Sequence, residues 1–256
     1  MNETGRDLRL ARDLRLAGAL VAVADTLDDS FSLPAYLQRF ADQCVAVLGA
    51  DAAGILLVGA DAQVSIVTSS DPRGRIRGLL EIQHQGGPCL DACASGEAVP
   101  PTRLAGLEAA ERWPHLTERA LHDGMTMTCA VPLRRGETLI GALNLFCNGR
   151  PEHHRIPLEL AQLLADAAAI GLVHRQMYEN CGALTRQLQS ALSSRIRIEQ
   201  AKGLLAERWG VKVDAAFTAL RAHARRTRRP IDAIAQEVID GLIDDAALEP
   251  DRPSRW

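Results

Sequence analysis

Two sets of residues have types and spacings suited to chemistry, one cationic and one built on thiols. The cationic set lies towards the C-terminus, where Arg195, Lys202, Arg221 and Arg225 fall within helical patterns and Lys202 stands between Ala201 and Gly203. Arg195 and Lys202 are seven positions apart, two helical turns, so both side chains leave the helix on nearly the same face. Ala201 and Gly203 add almost no bulk beside Lys202, which would let a phosphate or ribose approach the backbone. A glycine inside a helix costs about 1 kcal/mol against alanine, so Gly203 needs a packing or a contact reason. Arg221 offers a planar donor fork suited to phosphate or a guanine edge. No carboxylate stands three or four positions from it to absorb that charge. From Arg221 to Pro230 the chain carries Arg221, His223, Arg225, Arg226, Arg228 and Arg229 without one acid. Such a run fits either a polyanion contact or a solvated helix end, where cations complement the terminal carbonyls.

The thiol set is weaker. Cys89 and Cys93 are one helical turn apart, with His84 five residues before Cys89, a spacing open to a redox pair or part of a metal site. Four ligands at recognisable spacing are missing, so no metal is expected. Cys44, Cys89, Cys93, Cys129, Cys147 and Cys181 sit in apolar surroundings and read as reduced core residues. His153 and His154 are adjacent, so they share no face of a regular element, and they read as an exposed loop. No phosphate-binding loop, Ser-His-Asp set or supported pair of carboxylates appears. Neither catalytic residues nor a cofactor are expected.

The elements that must position these residues fit a chain of 256 residues with 47% hydrophobic and only 4% aromatic residues: a large and a small module with aliphatic cores. A net charge of -3 gives no global pull on polyanions, so any nucleic-acid contact has to rest on local charge. The longest apolar run, Leu16 to Ala24, is about half of the ~20 residues a membrane-spanning helix needs. The repeated Arg-Asp-Leu-Arg-Leu-Ala at 6–11 and 12–17 carries Asp7 and Asp13, unlike an export signal, so a cytoplasmic protein is expected.

Helical spacing over Leu14 to Leu48 breaks at Asp28-Asp29-Ser30 and restarts with Ser32 as a cap and Pro34 in the first turn. Residues 53–58 and 64–68 predict one hairpin, and 127–133 and 138–146 a second, with a short helix over Cys89 to Ser95 between them. The sum is an α+β domain with an antiparallel sheet and flanking helices. After Pro157 the pattern turns helical, and Met177, Cys181, Leu184, Leu188 and Ala191 recur at alternating spacings of four and three. That is an a/d seam of about two heptads, read as a site of self-association. Three helical blocks follow, with Asp214 as an N-cap and Ile198, Leu204, Leu205, Phe217, Leu220, Ile234 and Val238 facing inward.

Several blocks resemble known families. Gln200-Ala-Lys-Gly-Leu-Leu205, Ala216-Phe217, Leu220-Arg221 with Ala224, and Ile234-Ala-Gln-Glu-Val238 resemble the ANTAR domain, the RNA-binding output module of bacterial transcription antiterminators. Upstream, Gly87-Pro-Cys-Leu-Asp91, Gly96-Glu-Ala-Val99, Arg112-Trp-Pro114, Ala130-Val-Pro-Leu133 and Gly141-Ala-Leu-Asn-Leu145 resemble the GAF sensory domain that often precedes ANTAR in actinobacteria. Where relatives often carry a carboxylate after Val99, this chain has Pro100-Pro101-Thr102. The resemblance implies a GAF-like domain over 14–173, a helical linker over 174–191, a three-helix ANTAR bundle over 192–244 and a flexible tail over 245–256. It also implies a homodimeric regulator of transcription antitermination that binds hairpin RNA in leader transcripts. Arg195, Ala201, Lys202, Gly203, Arg221 and Arg225 are the expected RNA-binding residues, and the GAF-like domain is expected to receive a small molecule or a protein. Such a signal must favour one arrangement of 174–191 over another, because only differential affinity shifts a population. Two other readings stay open on the residues alone: a thiol-dependent reductase of the GAF type, and a DNA-binding regulator, although helix-turn-helix proteins place their reading residues at the start of the recognition helix.

Overall fold

The computed structural model describes residues 3–26, 31–59, 64–71, 75–149 and 156–248. The break at Asp28-Asp29-Ser30, most of the first hairpin turn and the His153-His154 loop lie outside them. The chain forms two compact units, Met1–Tyr178 and Glu179–Trp256.

In the first unit, five strands make one antiparallel sheet: β1 Ala52–Val58, β2 Val64–Ser69, β3 Val99–Arg103, β4 Met125–Arg135 and β5 Thr138–Asn148, in the order β2-β1-β5-β4-β3. Both expected hairpins are present, and β4 pairs with β5 from Met125 opposite Asn148 to Arg135 opposite Thr138. Pro100 and Pro101 lie on the edge strand β3, where a missing N–H costs no ladder bond on the open side. Pairing there runs from Val99 opposite Ala130 to Thr102 opposite Thr128, with a register shift between them.

Helices cover both faces. Along one face, α1 (Glu3–Ala24), α2 (Leu33–Leu48) and the start of α7 (Leu158–Trp209) bury Val23, Leu37, Phe40, Ala161, Leu164 and Ala168 against β-strand residues such as Ile55, Val131 and Leu143. Against the other, α3 (Arg75–Ile82), α4 (Pro88–Ser95), α5 (Leu107–Arg112) and α6 (Pro114–His122) bury Leu79, Leu80, Cys89 and Trp113 on Leu56, Ala130 and Phe146. Both cores are chiefly aliphatic, as so low an aromatic content requires. Ser32 occupies the N-cap of α2 with Pro34 in the first turn, but its hydroxyl makes no capping hydrogen bond.

Backbone approach ties α1 to α7. A Cβ at Gly171 would lie 2.8 Å from the Val23 carbonyl oxygen. The Thr26 hydroxyl donates to the Gly171 carbonyl at 2.9 Å, and the Tyr36 hydroxyl donates to the Val23 carbonyl at 2.7 Å. Burial drives the Tyr36 phenol well above its ordinary pKa, so it stays a donor at physiological pH.

In the second unit, α7 continues to Trp209, followed by α8 (Val213–Thr227), α9 (Ile231–Ile239) and α10 (Asp245–Leu248). The first of the three expected helical blocks is therefore the end of α7 rather than a separate helix. Ala201, Leu205, Ala216, Leu220, Ala224, Ile234, Ala235 and Val238 form the buried core, with Ile198 packed at its margin. Two expected core residues are placed otherwise: Leu204 is 38% exposed, and Phe217 is half-buried outside this cluster. Lys212, not Asp214, is the N-cap of α8, and Asp214 lies in the first turn. Residues 245–248, expected to belong to a flexible tail, instead form α10, whose Leu248 is buried in the core. The seam residues Met177, Cys181, Leu184, Leu188 and Ala191 are all exposed on α7. Among the described residues no helix is long and apolar enough to cross a membrane.

Gly171→Ala should destabilise the first unit by about 1–3 kcal/mol, because the new methyl meets a backbone oxygen that cannot rotate away. Denaturant unfolding, followed through the sheet signal, measures the shift.

Candidate nucleic-acid interface

The basic residues of the second unit divide into engaged and unengaged groups. Arg195, Arg221 and Arg225 are exposed, and none makes a side-chain hydrogen bond or ion pair with another described residue. Arg197, by contrast, pairs with Asp232 on α9 at 3.0 Å, which pins α7 to α9. Arg226 donates to the Ala247 carbonyl at 2.7 Å, where His223 also approaches at 3.0 Å, so these two residues hold α10. Arg229 makes a two-pronged contact with Glu237, and this hydrogen bonding holds the Glu237 carboxyl below its ordinary range. The six-member basic run thus contains both scaffold and free charge.

Lys202 is the point where α7 meets α8. Its ammonium lies 5.0 Å from the centre of the Phe217 ring and 3.0 Å from both carboxylate oxygens of Glu199. Only 14% of its side chain is exposed. Lys202 is therefore a neutralised, ring-stacked cation at rest, and a phosphate would have to displace Glu199 to reach it. Phe217 is the face of a cation–π contact rather than the packed core residue expected from its spacing. Arg221 and Arg225 follow Phe217 at one and two helical turns, so they extend the same side of α8.

Ala201 corrects the sequence reading. It is fully buried in the third core, so its small size serves helix packing and not the approach of a ligand. Gly203 behaves in the opposite way. It is exposed, and a Cβ built there meets nothing within 4 Å. Packing within this chain does not require a glycine at that position.

Arg228 is a residue that spacing alone missed. It closes α8 with φ 54°, the one non-glycine residue with positive φ among the described residues. Its N–H donates to Arg225 and the Arg229 N–H to Ala224, closing the helix in the manner usually built on glycine. The available signal was Arg228-Arg229-Pro230 standing where a helix stop needs a left-handed residue.

The thiols do not form a reactive cluster. Cys89 is fully buried and burial raises its pKa well above the ordinary thiol value, while partial burial pushes Cys93 up to about 11. His84 is exposed, whereas Cys89 is buried. Among the described residues no three His, Cys, Asp or Glu side chains are grouped to hold a metal. A surface cleft of about 510 Å³ lies on the first unit beside Asp91, Ser95, Glu97 and Arg112. Its charges answer one another, with Asp91 accepting from Arg112 and from the Trp113 indole N–H, each at 2.9 Å.

Two measurements check this description. Iodoacetamide at neutral pH should spare Cys44, Cys89 and Cys129, which are buried and held protonated; rapid labelling of Cys89 would contradict it. Gly203→Ala should strengthen the helix by about 1 kcal/mol, seen as roughly five-fold slower amide exchange around residue 203.

Comparison with known proteins places these units. The GAF domain model matches residues 32–173 and the ANTAR domain model residues 186–239. No curated protein matches the chain. Among solved structures, the GAF domain of an Acinetobacter phosphoenolpyruvate-protein phosphotransferase is 14% identical, with 64% of this chain and 97% of that one aligned at a TM-score of 0.45. A GAF domain from Synechocystis sp. in its photoproduct state is 16% identical, covering 58% of this chain and 98% of that one at a TM-score of 0.43. The GAF match spans more than half of the chain and the ANTAR match follows it, so this chain belongs to the GAF family and has the make-up of a GAF and ANTAR regulator.

Proposed function

We propose that the C-terminal unit binds hairpin RNA in nascent transcripts and acts in transcription antitermination, under control of a small molecule or protein received by the GAF domain. The observation that carries this reading is the set of exposed arginines, Arg195, Arg221 and Arg225, that find no partner among the described residues and lie on the same two helices, α7 and α8, as the Lys202 and Phe217 contact. Three short helices cannot enter the deep, narrow major groove of A-form RNA, so loop bases are the specific target and the arginines hold stem phosphates. Gly203 and Arg228 support the same reading. Each is the locally less stable choice, glycine inside an exposed helix and arginine in a left-handed stop, and such choices persist where an external contact rewards them. The exposed seam on α7 supports a homodimer, since its apolar side chains find no cover in their own chain.

The role is regulatory and not catalytic in this reading, because both matched domains are regulatory and the buried thiols are held protonated. A pool of RNA hairpins with randomised loops should bind more tightly than duplex DNA of equal length. Arg221→Ala and Arg225→Ala should each weaken binding and lower the slope of log affinity against log salt by about 1. Lys202→Ala should change the slope less, since its charge is already matched by Glu199. Equal affinity for duplex DNA would move the assignment to a DNA-binding regulator, and unchanged salt slopes would remove these arginines from the interface.

A further inference from the structure

The last carbonyls of a helix have no partner inside it, and in a helix as short as α10 these are the carbonyls of every residue. At Ala247 two side chains of α8 supply what is missing. Arg226 donates through Nη2 at 2.7 Å, and the His223 Nδ1 lies 3.0 Å from the same oxygen. The two nitrogens are 2.9 Å apart, so both are aimed at one acceptor. With its proton on Nδ1, His223 is the second donor. Two basic side chains converging on a single oxygen have the geometry of an anion site, filled here by a neutral atom of the same chain.

The neutrality of that atom sets Arg226 apart. Arg197 is held by Asp232, Arg229 by Glu237 and Lys202 by Glu199, each an opposite charge. No carboxylate among the described residues pairs with Arg226, whose contacts are His223 and Ala247. A phosphate oxygen in place of the carbonyl would meet the same donors and add the missing charge, which makes the hydrogen bonds shorter and stronger. The present occupant is weakly built. Four residues are too few to persist as a helix without outside contacts. Beyond the Ala247 carbonyl, α10 is anchored by Leu248, 3% exposed in the core. The segment before it turns at Gly241, with φ 69°, leaves Leu242 exposed and packs Ile243 at the core margin. The ANTAR match ends at residue 239, so the matched helices are complete before α10 begins. Arg226 directly follows Arg225 on α8, so the site borders the face that Arg221 and Arg225 share.

We propose that His223 and Arg226 form a phosphate site that α10 occupies at rest, and that an RNA phosphate enters it by displacing α10. This rests on the RNA reading above and adds two binding residues to it. Because α10 and the phosphate compete for the same donors, a seated α10 lowers the affinity for RNA, and by reciprocity bound RNA unseats α10 by the same factor. The core loses Leu248 in the exchange and keeps the side chains of α7, α8 and α9.

The test uses the full chain with the randomised hairpin pool as probe. Leu248→Ser loosens α10 and leaves both donors in place, so it should bind the pool about five-fold more tightly with an unchanged salt slope. Arg226→Ala should lower the slope of log affinity against log salt by about 1, a change that a residue serving only to hold α10 would not produce. In Leu248→Cys the new thiol is covered at rest, and the pool should speed its alkylation by iodoacetamide about five-fold, read by mass spectrometry of the peptide that carries it. If the pool binds while that alkylation is unchanged or slowed, or while the Arg226→Ala slope equals that of the wild type, the site is overturned and the RNA reading survives. A Leu248→Ser chain that keeps its helicity and binds no more tightly overturns it as well; if that chain loses helicity, the other two variants decide. Failure of the wild type to bind any hairpin overturns both readings.

Discussion

The C-terminal unit depends on close approach of three helices over alanine. Ala201, Ala216, Ala224 and Ala235 all lie in the buried core, where the larger buried neighbours are Leu205, Leu220, Ile234, Val238 and Leu248. A core of this kind buries little apolar area per residue and tolerates no buried charge, so the cations are forced to the perimeter. Arg197 and Arg229 are recruited as struts to Asp232 and Glu237, Arg226 holds the Ala247 carbonyl, Lys202 rests on Phe217 and Glu199, and Arg195, Arg221 and Arg225 stay exposed. The arrangement of exposed cations is therefore a by-product of how small the core is.

The same economy explains why Lys202 is held rather than free. An ammonium on a flexible stem loses rotamer freedom when it binds, and here Phe217 and Glu199 have already fixed it at the junction of α7 and α8. Its position is set before any ligand arrives, whereas Arg221 and Arg225 keep their freedom and supply reach. In the proposed RNA interface, one fixed cation and several adaptable ones would keep a common register on different stems.

Much of the fold was legible because its signals are local. Alternating apolar residues bounded by turns marked β1, β2, β4 and β5, and the Gly96 stop marked the end of α4. The two domains were legible through separated blocks in a fixed order. What escaped depended on tertiary context. Ala201 and Gly203 look alike in sequence as small residues beside Lys202, yet about half a helical turn separates core from solvent, and only the packing of α8 and α9 decides which is which. The two contacts that hold Lys202 both escaped: Glu199 stands three residues before it, and the Phe217 ring comes from a second helix whose packing no spacing reveals. Arg228 escaped for a related reason: its left-handed backbone is set by the helix stop before Pro230 and not by its own side chain.

Pro100 and Pro101 on β3 bear on how sensory units can meet. A strand that offers no amide hydrogens at two consecutive positions is a poor template for a further strand, so the sheet is blunted at that border. Edge-to-edge growth into extended assemblies is discouraged at that border. A sheet unable to propagate from that side cannot seed an open-ended ribbon of sensory units there.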